Sequence, residues 1–422
     1  MPAKTPGGAG AAAASGLFRA RVFVAVAALL ATAAAFYVFA AEYIDFRGFT
    51  LAIGVPLLVW ASGAYALLLS ARLALIAVGA PLLAWLWWTA LARAIGWSGS
   101  YELSVAAGLG FAAAGAMLTG IDLHALATAT ARGTDIQDAV RVVLKRGFLL
   151  GLVIMLAACA GIGGLAYPDL RAVPAIGLAA LITFLACWAL PPLVASLLPF
   201  SESYFARINR AREWRERAVS LLAIFSVPRW ALATIGIVVV LAAIAYFDRA
   251  FAALWQSVGA SFPAACAALG LMAAVATRNW RYFFSCGLTV FFSALFGAWL
   301  ALRLDADIGL VAQSAFVLAG AVGAPLVYAL AVPLAAAQRQ GEPNMIASVQ
   351  ALNQAGSPVL FLGLTAAFVA LAGAVLNGAS PAIAVVPLAL LGGAMKLFVA
   401  FATVMDDWFP RRRSFEELYR SR

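Results

Sequence analysis

Apolar residues dominate the chain in long runs that short polar segments interrupt. An α-helix needs about 20 apolar residues to cross the roughly 30 Å hydrocarbon core of a bilayer, and most of the runs have this length. The pattern therefore predicts an all-α integral membrane protein with twelve transmembrane helices. The predicted spans are 22–41, 49–70, 73–92, 101–126, 148–166, 172–198, 229–247, 252–276, 282–302, 309–337, 355–376 and 381–404.

The polar segments divide the spans into two groups of six. Residues 22–199 and 229–408 hold the two groups, and the polar, basic segment 200–228 joins them. This segment is predicted to form an amphipathic linker helix on the cytoplasmic surface, which either binds anionic lipid or only connects the two groups. Residues 1–21 are predicted to be a disordered cytoplasmic tail and 409–422 a basic cytoplasmic tail.

One stretch of sequence occurs twice, at 115–151 and again at 323–363. Each copy ends an apolar helix, passes an Arg-Gly or Gln-Gly turn, forms a short amphipathic helix and enters a new apolar helix at a glycine. Gly115 and Gly323 lie 208 positions apart, as do Gly133 and Gly341. Because this offset is about half the chain, the pattern predicts an internal duplication that gives two parallel six-helix repeats.

The composition agrees with a membrane protein and gives it an orientation. The chain is 65% hydrophobic and 11% charged, too apolar for a soluble protein of 422 residues. Of the 28 lysines and arginines, 22 fall in segments that this topology places in the cytoplasm, five fall in the opposite loops, and Lys396 lies within a span. The positive-inside rule then predicts a multi-pass protein of the bacterial inner membrane with both termini cytoplasmic. We expect membrane lipid and no nucleic acid as a partner.

The reactive residues are few and scattered. All four cysteines lie inside apolar runs without C-x-x-C spacing, and His124 is the one histidine in the sequence. No nucleotide-binding, hydrolase or zinc-protease motif occurs. We therefore expect neither an enzyme nor a cofactor or metal site.

The two copies resemble a known transporter superfamily. Residues 132–147, R-G-T-D-I-Q-D-A-V-R-V-V-L-K-R-G, and residues 340–356, Q-G-E-P-N-M-I-A-S-V-Q-A-L-N-Q-A-G, are similar to the region between the fourth and fifth spans of each half in the resistance-nodulation-division (RND) superfamily, especially its MmpL-like, lipid-exporting members. The resemblance implies an RND-like transmembrane bundle with spans four and ten at its centre. It also implies the export of a lipid or an apolar metabolite.

This sequence departs from the family in two respects. The family's large porter domains, inserted after spans one and seven, have no counterpart in the short loops here, so the resemblance is to a short form. A separate periplasmic or membrane partner protein would then complete the exporter. The resemblance also places the family's proton-carrying aspartates at Met117 and Pro325, and neither residue can bind a proton.

Three ionisable residues inside or near the spans are candidate transport or proton-relay residues. Asp122 lies five positions after Met117, and His124 lies two positions after Asp122. The two either carry protons or sit at the interface, facing water or capping the bundle. Lys396 either extends to the membrane surface, forms an ion pair with an acid such as Asp122, or takes part in transport.

Small residues and prolines indicate how the central helices pack. Gly115 and Gly323 are candidates for close helix contacts, and Pro325 is a candidate for a kink in span ten. Three functions remain open. The protein moves or assists the export of a lipid or apolar metabolite, or it is a non-transporting scaffold or accessory subunit of an export or lipid-biosynthesis system, or it is a major-facilitator-like secondary transporter.

Overall fold

The computed structural model describes residues 20–40, 46–94, 101–166, 173–221 and 227–408, and every regular element in these ranges is helical. The helices are α1 (Arg21–Ala40), α2 (Phe46–Leu68), α3 (Ala71–Ala94), α4 (Tyr101–Ala131), α5 (Ile136–Ala166), α6 (Val173–Ala195), α7 (Glu202–Ser220), α8 (Pro228–Tyr246), α9 (Arg249–Val258), α10 (Ser261–Thr277), α11 (Arg281–Arg303), α12 (Ile308–Arg339), α13 (Asn344–Leu376) and α14 (Pro381–Asp406). The prediction of an all-α membrane protein is confirmed at this level. Most of the N-terminal tail and the C-terminal tail 409–422 lie outside the described residues.

Nine helices of the described ranges are long and apolar enough to cross a membrane, namely α3, α4, α5, α6, α8, α11, α12, α13 and α14. The pair α9 and α10 passes the same test together but bends by 70° at its break. Shorter apolar helices occur at Arg21–Ala35 and Gly54–Leu68, within α1 and α2. The protein is thus a multi-pass membrane protein.

The eighth predicted span differs from the single helix 252–276 that its apolar pattern indicates. The chain forms α9 and α10 instead, with Gly259 at a φ of +59° between them. Glycine adopts this backbone conformation without the steric penalty of a Cβ, which allows the turn.

The short amphipathic helices predicted after the two turns are not separate elements. Each is the first part of a longer helix, α5 in one copy and α13 in the other. Gly147 lies inside α5 rather than at a helix start. A glycine in a helix interior costs only about 1 kcal/mol, which is less than the cost of exposing unpaired backbone groups to lipid.

A π-helical turn interrupts α13 at Leu352–Gly356. The turn glycine and the following span glycine are 14 positions apart in the first copy (Gly133, Gly147) and 15 apart in the second (Gly341, Gly356). A π turn accommodates one additional residue within an α-helix. The turn therefore absorbs the one-residue difference in length between the copies. Two further π turns lie at Ala319–Gly323 in α12 and Gly393–Leu397 in α14.

Helix α12 lies at the centre of the bundle and α8 at its edge, because 83% of the α12 span is buried inside the protein and only 17% of the α8 span. α12 packs against α4 and α5. Gly320 of α12 lies against Gly161 of α5. A Cβ built on Gly161 would lie 3.2 Å from the Cα of Gly320 and 2.5 Å from the carbonyl oxygen of Phe316. Small residues permit this backbone-to-backbone contact between the two groups of spans.

Candidate functional site

A cavity of about 370 Å³, lined by both polar and apolar side chains, lies where α4, α5, α12 and α13 meet the linker helix α7. Because α7 and the turn after α4 both belong to segments predicted to be cytoplasmic, the cavity is at the end of the bundle that the sequence assigns to the cytoplasm. The polar side chains that line it include Asp122, His124, Arg146, Arg212, Asn353 and Ser357.

Asp122 points from α4 toward α5 in the wall of the cavity and is 4% exposed. The backbone of α5 comes close because Gly147 faces the carboxylate: a Cβ there would lie 2.6 Å from Oδ2 of Asp122. Arg146, the neighbour of Gly147, interacts electrostatically with this carboxylate. Oδ2 accepts no hydrogen bond from any group of the described chain.

His124 lines the same cavity and leaves its Nδ1 atom buried without a hydrogen-bond partner in the described residues. The two candidate relay residues of span four are therefore brought together in one polar space rather than facing lipid. Their neighbours from the second half are Asn353, in the π turn of α13, and Ser357, which follows it.

The linker helix α7 is anchored to the bundle by side chains that cap other helices. Arg215 is 7% exposed and donates hydrogen bonds to the carbonyl oxygens of Leu67 (2.9 Å) and Ala66 (2.5 Å), at the end of α2. The Tyr204 hydroxyl donates to the carbonyl of Leu68 at 3.1 Å. These carbonyls have no partner within their own helix, and a cation is stabilised at the negative end of a helix dipole. Burial lowers the pKa of the Arg215 guanidinium.

A second anchor joins α7 to the end of α4. The side-chain amide of Asn209 donates to the carbonyl of Ala131 at 3.1 Å. Nearby, Glu216 forms an ion pair with Arg212 at 3.2 Å and lies 4.0 Å from Arg132. The linker is thus part of the wall of the cavity rather than a free surface helix.

Lys396 lies elsewhere. It is in the π turn of α14, its side chain is exposed, and it is not among the residues that line the cavity. The structure therefore does not bring Lys396 to Asp122.

The remaining residues singled out in the sequence are buried in helix contacts. Met117 is fully buried and Pro325 is buried in α12. A Cβ on Gly115 would meet Cys187 of α6 at 2.6 Å, and one on Gly323 would meet Leu390 of α14 at 2.7 Å. Both glycines thus permit a close approach to the last helix of their own half.

Several cavity residues were not predicted from the sequence as site residues, among them Arg146, Arg212, Arg215, Asn353 and Ser357. The arginines read as topology-determining charges because they lie in segments of high positive charge. The duplication offered one signal for Asn353 and Ser357. At the offset of 208, these two polar residues of the second copy fall at positions 145 and 149, beside the basic residues that end the polar segment of the first copy.

Comparison with known proteins extends this description to the fold. No protein-family model matches the chain, and no curated protein matches it significantly. Among solved structures, SecDF from Thermus thermophilus, a translocon-associated membrane protein, is similar with a TM-score of 0.53 and 15% sequence identity. The match covers 86% of this chain and 63% of that chain, so the protein spans less than two thirds of the length of its structural neighbour.

The chain shares the coarse fold of this multi-helix membrane protein. At this sequence identity the likeness concerns the fold alone. It agrees with the resemblance of the duplicated stretch to the RND superfamily, and it does not distinguish the MmpL-like members within it.

Proposed function

We propose that the protein is a short RND-like inner-membrane protein that moves a lipid or apolar metabolite, or assists its export, with both termini in the cytoplasm. The observation that carries this proposal is the buried carboxylate of Asp122, which faces the cavity at the α7 end of a bundle with an RND-like fold. Ionisable groups inside a membrane bundle are costly and are retained mainly for function. Asp122 would replace the family's relay position, which Met117 fills here.

The helix contacts support twelve spans in two repeats. Helix α2 (predicted span two) packs on α13 (span eleven), and α10 (span eight) packs on α5 (span five). If each span of the first pair is replaced by the equivalent span of the other half, the first contact becomes the second. The same exchange relates the α3–α6 contact to the α11–α14 contact. Contacts related in this way are expected of two parallel repeats of six spans.

The proposal is tested by measuring movement of a fluorescent phospholipid across proteoliposomes with an imposed proton gradient. Asp122→Asn keeps the shape of the side chain and removes its ability to ionise, so transport should fall to the background of protein-free liposomes. Asp138→Asn is the matched control, because Asp138 is exposed at the start of α5 and pairs with Arg141. Full transport by Asp122→Asn would exclude Asp122 as the proton carrier.

A second candidate function is a non-transporting accessory subunit. It is favoured by Met117 and Pro325, which are buried at both relay positions, and by the structural neighbour, which is described as translocon-associated. Under this hypothesis the wild-type protein alone moves no lipid in either direction, and it co-purifies with a stoichiometric membrane or periplasmic partner. The proteoliposome measurement on the wild-type protein separates the two functions.

A further inference from the structure

The unsatisfied polar atoms of the protein concentrate in one place. Among the described residues, seven buried side-chain nitrogen or oxygen atoms have no hydrogen-bond partner, and six of them belong to residues that line the cavity at α7. The six are Asp122 Oδ2, His124 Nδ1, Arg212 Nε and Nη1, Asn353 Oδ1 and Ser357 Oγ; of these, Arg212 Nε makes no hydrogen bond but is the atom that forms the ion pair with Glu216. A buried polar atom without a partner destabilises the fold, so such a cluster is typical of a binding site.

The charges of the cavity favour an anion. Four arginines and two carboxylates line it, and Glu216 offsets part of the charge of Arg132 and Arg212. Arg146 and Arg212 come from different helices, α5 and α7, and Nη1 of Arg212 is buried with no acceptor in the described chain. Guanidinium groups bind phosphate oxygens through pairs of parallel hydrogen bonds, so a phosphate group fits these two arginines.

A simple anion does not satisfy the other unpaired atoms. Asp122 Oδ2 and Asn353 Oδ1 are acceptors, and each needs a donor such as a hydroxyl group. Ser357 is 8% exposed and can donate or accept. The set therefore matches a phosphate group attached to a hydroxylated moiety.

The rest of the wall is apolar. Ile121, Leu150, Val332 and Pro358 line the cavity together with Val142, whose side chain is exposed on α5. Its volume of about 370 Å³ is within the range of roughly 300–1,000 Å³ that small-molecule sites occupy. A polar headgroup can occupy the cavity while an acyl chain follows the apolar wall.

We propose that this cavity is a binding site for a phosphate group on a hydroxylated headgroup. Arg146 and Arg212 bind the phosphate, and Asp122 and Asn353 accept hydrogen bonds from the hydroxyl groups. Anionic glycerophospholipids and soluble glycerol phosphates share this chemistry, and the apolar wall favours the lipid.

Native mass spectrometry of the full chain in detergent tests the site with four probes: phosphatidylglycerol, phosphatidic acid, phosphatidylcholine and sn-glycerol 3-phosphate. Phosphatidylglycerol is expected to bind most tightly. Phosphatidic acid lacks the hydroxyl groups and phosphatidylcholine carries a cation near the arginines, so both should bind more weakly. Tighter binding of glycerol phosphate than of phosphatidylglycerol would assign the site to a soluble ligand.

The double variant Arg146→Gln/Arg212→Gln should weaken phosphatidylglycerol binding by about tenfold or more, because it removes the charge-assisted hydrogen bonds to the phosphate. The matched control is Arg141→Gln/Arg210→Gln, which removes the same charge from the same two helices at exposed positions outside the cavity. The control should bind like the wild type. A thermal melting curve of each variant confirms that the folded protein is compared.

Two results would overturn the proposal: equal affinity of the two double variants, or no saturable binding of phosphatidylglycerol and glycerol phosphate by the wild type. Equal binding of phosphatidic acid and phosphatidylglycerol would refute the hydroxyl contacts with Asp122 and Asn353. These measurements need no transport activity, so they remain informative if the protein is an accessory subunit. Conversely, transport without phosphatidylglycerol binding would retain the proposed function and remove this site.

Discussion

The two copies of the duplicated stretch share their architecture and differ in their chemistry. Gly133 and Gly341 both adopt a positive φ, of +88° and +84°, at the turn of their copy. Gly115 packs against the sixth span of the first half, and Gly323 packs against the sixth span of the second. The features that depend on backbone geometry are therefore present twice.

The polar residues are not repeated. At the offset of 208 that relates the glycines, Asp122 corresponds to Leu330 and His124 to Val332. The second copy contributes amide and hydroxyl groups instead, from Asn353 and Ser357, to the same cavity. Because both copies contribute to this same cavity, one set of charges serves it, and burial of a second carboxylate would add cost.

The largest expected effect comes from the contact that joins the two halves. In Gly161→Val the new Cβ would lie 2.5 Å from the Phe316 carbonyl oxygen, a backbone atom that cannot rotate away. We expect stability in detergent to fall by about 3 kcal/mol, at the upper end of overpacking effects. Thermal unfolding followed by circular dichroism measures this change.

The control for this contact is Gly163→Val, two residues along the same helix. A Cβ on Gly163 has no atom within 4 Å, so this variant should melt close to the wild type. Similar destabilisation by both substitutions would show that valine is unfavourable in this helix for a reason other than the contact with α12.

The sequence predicted much of this fold because its strongest signals are local. Runs of apolar residues depend on neighbouring residues, and the glycine spacing of the two copies depends on a fixed offset. The sequence did not predict the bend at Gly259 or the π turn at Leu352–Gly356, because a straight helix and a broken helix can have the same run of apolar residues.

The cavity was harder to predict than the fold. Asp122 and His124 stood out because charge is rare within a span, but Arg146 and Arg212 are surrounded by other arginines in sequence. Their role depends on how α7 folds back onto the bundle, which Arg215 determines by binding the end of α2. A contact across 148 positions leaves no periodic signal in a single sequence.

A smaller effect is expected where the copies diverge, at Gly147. Alanine there would bring a Cβ within 2.6 Å of the Asp122 carboxylate, which can shift because it is the end of a side chain. We expect Gly147→Ala to destabilise the protein by about 1–2 kcal/mol. In the Asp122→Ala background the clash is absent, and the same substitution should stabilise the helix by about 0.5–1 kcal/mol.

The second copy provides a natural counterpart to this double-mutant cycle. There the residue that corresponds to Asp122 is Leu330, and the glycine that the π turn aligns with Gly147 is Gly356, which faces Val219 of α7 instead of a carboxylate. A Gly147→Ala effect that is the same in both backgrounds would mean that the carboxylate does not determine the need for glycine. Chemical denaturation of the four proteins gives the coupling energy directly.

The smallest effects test whether the two turns are equivalent. Gly133→Ala and Gly341→Ala each place an L side chain at a positive φ, at a cost of about 1 kcal/mol. A Cβ at either position meets no atom within 4 Å, so the cost is that of the backbone conformation alone and should be nearly equal in the two copies. Thr134→Ala, an exposed substitution beside the first turn, should change the melting temperature little.

The double variant at both turns makes the comparison stricter. Because the two sites share no neighbours, their effects on stability should add to within about 0.5 kcal/mol. If Gly133→Ala costs clearly more than Gly341→Ala, the first turn has a role beyond its backbone conformation. The capping of α4 by Asn209, whose amide binds the carbonyl of Ala131 two positions earlier, would then be the interaction to examine, since it ties that turn to the linker helix and to the cavity.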